Sequence, residues 1–164
     1  MEIKVCQSEE EVKVLAKLAH KIWNTYFLGI ISQQQIDYMV EMYQSEKALK
    51  KAIFEDGYTY FTAYEQNVMI GYCGVKIEKD RLFLSKLYLD EIYRGKGLSS
   101  KLLQEAITFA NNKKLRTIYL TCNKYNTHSL DVYKHKGFRV IDAVKTDIGK
   151  GFIMDDYILE LTLS

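Results

Sequence analysis

Two stretches of this chain carry residue types at spacings that could do chemistry. The first is Leu87-Tyr88-Leu89-Asp90-Glu91-Ile92-Tyr93-Arg94-Gly95-Lys96-Gly97-Leu98-Ser99-Ser100. An apolar run suited to a strand enters a turn with glycines at 95 and 97, and the turn opens onto a helical pattern. The first turn of a helix has N–H groups without intrahelical partners and the positive end of the helix dipole. Glycines there remove side chains that would hold an anion off the backbone. Ser99 and Ser100 add hydroxyl donors, and Arg94 and Lys96 add positive charge. The combination predicts an anion site of diphosphate size. The plainer reading is a strand–helix turn with two solvated cations. A Walker loop would need Gly-x4-Gly-Lys-Ser/Thr, which is absent, and a dinucleotide fingerprint would need a glycine where Ser100 stands.

The second stretch runs from Asn123 to Phe138. Asn126 is placed to cap a short helix over Thr127 to Lys136, closed by Gly137, with Phe138 returning to the core. Tyr133 follows Asn126 by two helical turns and so shares its face. A tyrosine hydroxyl, with a pKa of about 10, can protonate a departing thiolate. The same tyrosine could equally be a core residue with a satisfied hydroxyl. His128 and His135 read as surface residues.

The elements that must hold these stretches follow from periodicity. Ile3 to Cys6 reads as a short strand. Ser8 and Glu11 form a capping-box signature before a helix with Val12, Leu15, Ala16, Ala19, Ile22 and Trp23 on one face. A second helix is predicted from Ser32 through Ile36, Met39, Val40 and Tyr43, and a third from Ser45 to near Gly57. Tyr58 to Tyr64 and Val68 to Ile77 form a hairpin around Gln66-Asn67, and Leu82 to Leu89 is the next strand. After the helix from Leu98 come a strand over Arg116 to Cys122, the short helix, and strands over Phe138 to Ile148 and Phe152 to Leu161. The order β-α-α-α-β-β-β-α-β-α-β-β predicts an α/β (α+β) fold, with a single mixed, mostly antiparallel sheet and helices on both faces. One domain over 1–164 is expected, with the N-terminal strand and helices in 1–57 and the hairpin, central loop and C-terminal strands in 58–164.

Composition narrows the classes. The 164 residues carry 23 Lys+Arg against 21 Asp+Glu, a net charge of +2, which is no footprint for a nucleic acid or an anionic membrane. Cys6, Cys73 and Cys122 are odd in number and far apart, so neither a disulfide framework nor a zinc site is expected, and no metal is. No apolar window is long enough for a membrane span, and no secretory signal opens the chain. A reducing cytoplasm is the expected compartment.

Arg94-Gly95-Lys96-Gly97-Leu98-Ser99 resembles the acyl-CoA loop of the GNAT N-acetyltransferases, Arg/Gln-x-x-Gly-x-Gly/Ala, with Ser99 at the last small position. Asn123 to Phe138 resembles that family's second signature, Asn-x-x-Asn, a short helix bearing Tyr, then Gly-Phe. The resemblance covers roughly Tyr58 to Leu161 and implies the GNAT acyl-CoA N-acyltransferase fold and acetyl-CoA as co-substrate. It further implies that the backbone from Gly95 to Ser100 holds the CoA diphosphate, that Leu87, Tyr88 and Leu89 pair with the pantetheine arm, and that the Leu87 N–H polarises the thioester carbonyl. Asn126 would bond the cofactor arm, and Tyr133 would protonate the leaving thiolate. Some members carry a glutamate base on the strand before the loop. Here that strand, Leu82 to Leu89, has no acid, leaving water relayed by Glu78, Asp80 or backbone carbonyls.

For the acceptor, Trp23, Tyr26 and Phe27 occupy the segment that walls the pocket in that family, though Trp23 and Phe27 at i,i+4 spacing also read as core. Asp155 and Asp156 are two acids in an otherwise apolar strand and must point to opposite faces. One reading is a structural salt bridge; the other is attraction of a cationic amine. This segment and the helical N-terminus are loosely similar to bacterial polyamine acetyltransferases. The expected function is acetyl transfer from acetyl-CoA to a small-molecule primary amine, polyamine-like first. Alternatives are acetylation of a peptide N-terminus or lysine, a non-catalytic acyl-CoA-binding module, or a nucleotide-binding regulator. A monomer or homodimer is expected.

Overall fold

The computed structural model describes residues 1–164. Seven strands form one sheet: β1 (Glu2–Val5), β2 (Tyr58–Glu65), β3 (Val68–Glu78), β4 (Arg81–Leu89), β5 (Thr117–Asn123), β6 (Arg139–Gly149) and β7 (Phe152–Thr162), in the spatial order β1-β2-β3-β4-β5-β7-β6. Five α-helices flank it: α1 (Glu9–Tyr26), α2 (Gln33–Met39), α3 (Glu46–Phe54), α4 (Leu98–Asn112) and α5 (Thr127–His135). Every neighbouring pair is antiparallel except β4 and β5. The expected element order and mixed, mostly antiparallel sheet are both present.

The local signals act as their chemistry requires. Ser8 and Glu11 cap α1 reciprocally. The apolar stripe of α1 (Val12, Leu15, Ala19, Ile22) packs with Leu49 of α3 against Tyr60 and Tyr72 of the sheet. The opposite face buries Leu102, Leu103, Ala106 and Ala110 of α4, with Leu130 of α5, against Phe61, Cys73, Val75 and Leu84. At the β2–β3 turn, Gln66 and Asn67 both take positive φ (49° and 65°), the mirror-image turn that matches strand twist even without glycine.

One expected helix is reshaped. The segment from Ser32 to Tyr43 is α-helical only to Met39, and Val40–Gln44 continues as a π-helical stretch. The wider turn brings Gln44 into the core, where its Oε1 accepts from the Tyr72 hydroxyl (3.0 Å) and its Nε2 donates to the Tyr43 carbonyl (2.9 Å). Apolar periodicity could not register a buried glutamine.

The feature that makes a site is a fault in the sheet. In the β3–β4 ladder Gly74 faces Lys86 but Val75 faces Leu84, so Ser85 is an extra, bulged residue. The bulge turns β4 away from β5. The two pair only over Arg81–Phe83 with Thr117–Tyr119, while β5 stays bound to β7 along its whole length. From Leu84 onward the sheet is open between β4 and β5. Close packing of β3 under β4 keeps it so: a Cβ on Gly71 would lie 2.5 Å from Leu89 Cδ2 and 2.8 Å from the Tyr88 carbonyl oxygen. Gly71→Ala is therefore expected to destabilise the fold by about 1–3 kcal/mol, read as a lower urea midpoint, because backbone cannot yield as a flexible side chain would.

Candidate active site

The opening between β4 and β5 is the mouth of a cleft of about 620 Å³ that runs through the sheet. Its strand wall is defined by hydrogen-bond parity. The Asp90 N–H donates to the Ile70 carbonyl of β3 (2.7 Å), and in an antiparallel ladder the bonded residues alternate. The N–H groups of Tyr88 and Lys86 therefore also face β3. Those of Leu87 and Leu89 face the opening, where no strand receives them. The Leu89 carbonyl on that side is reached from the loop by Arg94, whose Nε and guanidinium nitrogen donate at 3.3 and 3.2 Å.

At one end of the cleft stands the start of α4. The other four helices are capped by a side chain (Ser8, Ser32, Ser45 or Asn126). α4 is not: its N-cap is Gly97, in the left-handed region at φ 76°, with no capping side chain. Gly95, Gly97, Leu98, Ser99 and Ser100 all line the cleft. An uncapped, dipole-positive helix start facing a cavity has donors that only a ligand or water can satisfy. Arg94 lies across this mouth with its guanidinium 4.9 Å from the Tyr26 ring centre. Lys96 does not line the cleft and sits over the Tyr93 ring (5.9 Å) instead. Its place beside the mouth is taken by Lys136 from the end of α5, whose Nζ bonds the Ser100 hydroxyl. Nothing in the loop pattern pointed to Lys136, since only the docking of α5 brings it there.

Asn126 and Tyr133 reach the cleft from α5. Asn126 caps the helix, its Oδ1 accepting from the Ser129 N–H (3.3 Å), and its Nδ2 donates to the Tyr26 hydroxyl (3.0 Å). Tyr26 also bonds the Ser129 hydroxyl, so the end of α1 is strapped to α5 across the opening. The Tyr133 ring packs edge-on to Phe138 (5.5 Å between centres), but its hydroxyl has no hydrogen-bond partner within the protein. Burial pushes its pKa well up, so it stays protonated through the working range.

The other half of the cleft opens toward α1 and α2. Trp23, Tyr26 and Phe27 line it, and Trp23 and Phe27 are also buried, so wall and core are one set of residues. They meet edge-on around the Tyr88 ring, at centre distances of 5.5, 5.5 and 6.0 Å. The two acids part as strand alternation demands. Asp155 lies outside the cleft in an ion pair with Lys124 (3.0 Å). Asp156 lines the cleft, is only 6% exposed, and has a buried Oδ1 with no partner. Burial first, then the neighbouring Asp155, raises its pKa to about 6. Glu78 is not in the cleft; it accepts from the Tyr119 hydroxyl at 2.5 Å. Asp80 is likewise absent from the lining. His128 stands exposed at the rim, and His135 is exposed outside it. Lys86, which no sequence pattern pointed to, also lines the cleft, beside the Ser85 bulge.

A sheet parted at a bulge, an uncapped helix start at its mouth and a free tyrosine hydroxyl inside it form one cleft suited to an extended ligand that ends in an anion. Residues 17–138 match the model of the acetyltransferase (GNAT) family, and the chain belongs to that family. It is 28% identical over 152 residues to a spermidine N(1)-acetyltransferase of Thermoplasma acidophilum, covering 90% of this chain and 92% of that one. A spermine/spermidine N(1)-acetyltransferase of Bacillus subtilis is 37% identical over 60 residues, 36% of this chain and 40% of that one. The crystal structure of PaiA N-acetyltransferase from Thermoplasma acidophilum in complex with coenzyme A superposes with a TM-score of 0.82 at 24% identity, over 99% of each chain, which establishes the shared fold. The protein is thus an N-acetyltransferase of the GNAT type, and no helix in it is long and apolar enough to cross a membrane.

The Asp156 carboxyl generates a prediction with a definite sign. Its folded pKa is raised, so the folded chain holds the proton more tightly than the unfolded chain. The resulting penalty is absent below the ordinary aspartate value near 4, grows as pH rises through about 6, and is complete above it. Asp156→Asn should therefore stabilise the fold at pH 8 by about 2 kcal/mol and by clearly less at pH 5, measured by urea melts at both values. Equal gains at the two pH values would mean the carboxylate is not held buried and charged.

Proposed function

We propose that this protein transfers acetyl from acetyl-CoA to a primary amine of a small cationic molecule, with a polyamine-like acceptor the first choice, and that 1–164 acts as one N-acetyltransferase domain. The observation that carries the reading is the row of strand N–H groups at Leu87 and Leu89 left without a strand partner beside an uncapped α4. A pantetheine arm is a chain of amides and can supply the missing strand, while its diphosphate suits the α4 start. Gly95, Gly97, Leu98, Ser99 and Ser100 would hold the diphosphate through backbone and hydroxyl donors, with Arg94, Lys96 and Lys136 adding charge. Leu87, Tyr88 and Leu89 would hold the arm, and Asn126 would add its amide once it exchanges its bond with Tyr26. The acyl thioester supplies an activated carbonyl. The Leu87 N–H, which faces the opening, would stabilise negative charge on that oxygen. The unpartnered Tyr133 hydroxyl, which lines the same cleft, would donate to the leaving sulfur.

The acceptor half supports a cationic amine on two counts. Asp156 is a buried carboxylate with no counter-charge, a costly arrangement that an ammonium group relieves. The rings of Trp23, Tyr26, Phe27 and Tyr88 supply apolar contact for methylenes and negative faces for a cation. The Thermoplasma and Bacillus relatives, named for acetylating spermidine and spermine, agree with that chemistry.

Thiol release from acetyl-CoA with spermidine, spermine and a lysine peptide tests the reading. Release should depend on added amine and be fastest with the polyamines. Release with the peptide alone would overturn the acceptor, and CoA binding without release for any amine would leave only a binding module. Gly97→Glu should abolish the CoA-induced thermal shift, since it puts charge and a strained left-handed residue at the diphosphate. Tyr133→Phe should lower kcat roughly tenfold or more with CoA affinity nearly unchanged; an unaltered kcat would assign the proton to water.

A further inference from the structure

Acetylation of an amine needs the acceptor nitrogen in its neutral form, and β4 carries no acid to deprotonate it. Lys86 is the cationic side chain of that strand that lines the cleft. In the ladders Lys86 faces Gly74, and Gly74 faces Tyr60. Side chains directly opposite one another share a face, so Lys86 points to the α1–α3 side with Tyr60 and Tyr88, away from α4. It lines the cleft, and its backbone is joined directly to the Leu87 N–H that faces the opening. Its Nζ bonds only the Ser85 hydroxyl (2.6 Å), on the bulge itself, and no carboxylate lies within ion-pair distance. The titratable side chains on its face are Tyr58 and Tyr60 from β2, Lys76 and Glu78 from β3, Tyr88 from its own strand and Tyr119 from β5, and the one carboxylate among them, Glu78, is engaged by the Tyr119 hydroxyl and Arg81 rather than by Lys86. Across the cleft stand Asp156 of β7, Tyr26 of α1 and His128 of α5.

We propose that Lys86 is the general base of the reaction, its neutral Nζ taking the proton from the acceptor ammonium before attack. The inference rests on the amine-acetyltransferase reading above. The proton passes from the acceptor ammonium to Lys86 Nζ. The freed lone pair forms the C–N bond at the thioester carbonyl carbon as the C–S bond breaks. The second amine proton leaves with the sulfur, by way of Tyr133, and Lys86 returns its proton to solvent. Burial without a counter-charge favours the neutral amine and pushes the Lys86 pKa down to about 8, well below that of an ordinary alkyl ammonium, so that a neutral fraction is present near neutral pH. Asp156, on the far wall, binds the cation and does not take the reacting proton.

The test is kcat and KM for spermidine as a function of pH in wild type, Lys86→Met, Lys86→Arg and Asp156→Asn, with the CoA-induced thermal shift confirming that each is folded. Wild-type kcat should rise with a midpoint near 8. Lys86→Met should lower kcat by roughly 10²-fold with KM little changed and lose that limb; Lys86→Arg, permanently charged, should be no better. Asp156→Asn should act mainly on KM. A Lys86→Met enzyme that keeps its kcat and the limb near 8 overturns the assignment. NMR titration of the Lys86 amine in the free protein gives a readout independent of turnover: an ordinary lysine value would overturn the base whatever the acceptor proves to be. A wild type inactive with every amine would instead overturn the transferase reading.

Discussion

The site depends on one departure from sheet geometry. A strand inside a sheet normally has both rows of backbone groups satisfied, and leaving one row bare costs free energy wherever water is restricted. Here the bulge at Ser85 and the commitment of β5 to β7 strip β4 of its second partner from Leu84 onward. The bare row is not an edge open to any passing chain. It lies between α5 on one side and the end of α1 on the other, tied together by the Tyr26, Asn126 and Ser129 bonds. A ligand that is itself a string of amides, ending in a diphosphate, fits that restriction.

The same economy governs the charges. Asp156 and Lys86 are of opposite sign, yet neither is neutralised by the protein, and burial moves both toward their neutral forms. α4 lacks the capping side chain that every other α-helix has. Each would be a defect elsewhere, and all of them border one cleft. Local destabilisation concentrated at one place is what a site built to bind and convert a ligand requires, with the stability supplied by the two cores on either face of the sheet.

Much of this was readable from residue order. The capping box at Ser8, the stripes of α1 and α4, the strand–glycine–helix unit at Leu87 to Ser100 and the Asn126–Tyr133 helix are local patterns, and local patterns act through neighbours in the chain. The residues missed were missed for one reason. Gln44 enters the core only through a π-helical turn, Lys136 reaches Ser100 only because α5 docks beside α4, and Lys86 looks like an ordinary polar position in a strand until the bulge turns it into the cleft. Conversely, Lys96 is adjacent to the loop glycines in sequence yet points to Tyr93.

Sequence alone determined the element order and the glycines that free the start of α4, because each follows from backbone preference and short-range periodicity, while the family resemblance implied that the tyrosine-bearing helix belongs with that loop. It also determined that Asp155 and Asp156 face opposite ways. Only the tertiary structure decided which of the two meets the cleft, that the Tyr133 hydroxyl is left free, and that the Lys86 side chain is turned into the cleft without a counter-charge. Those outcomes depend on which strands part, on burial and on the absence of partners, and such quantities exist only after distant segments have packed.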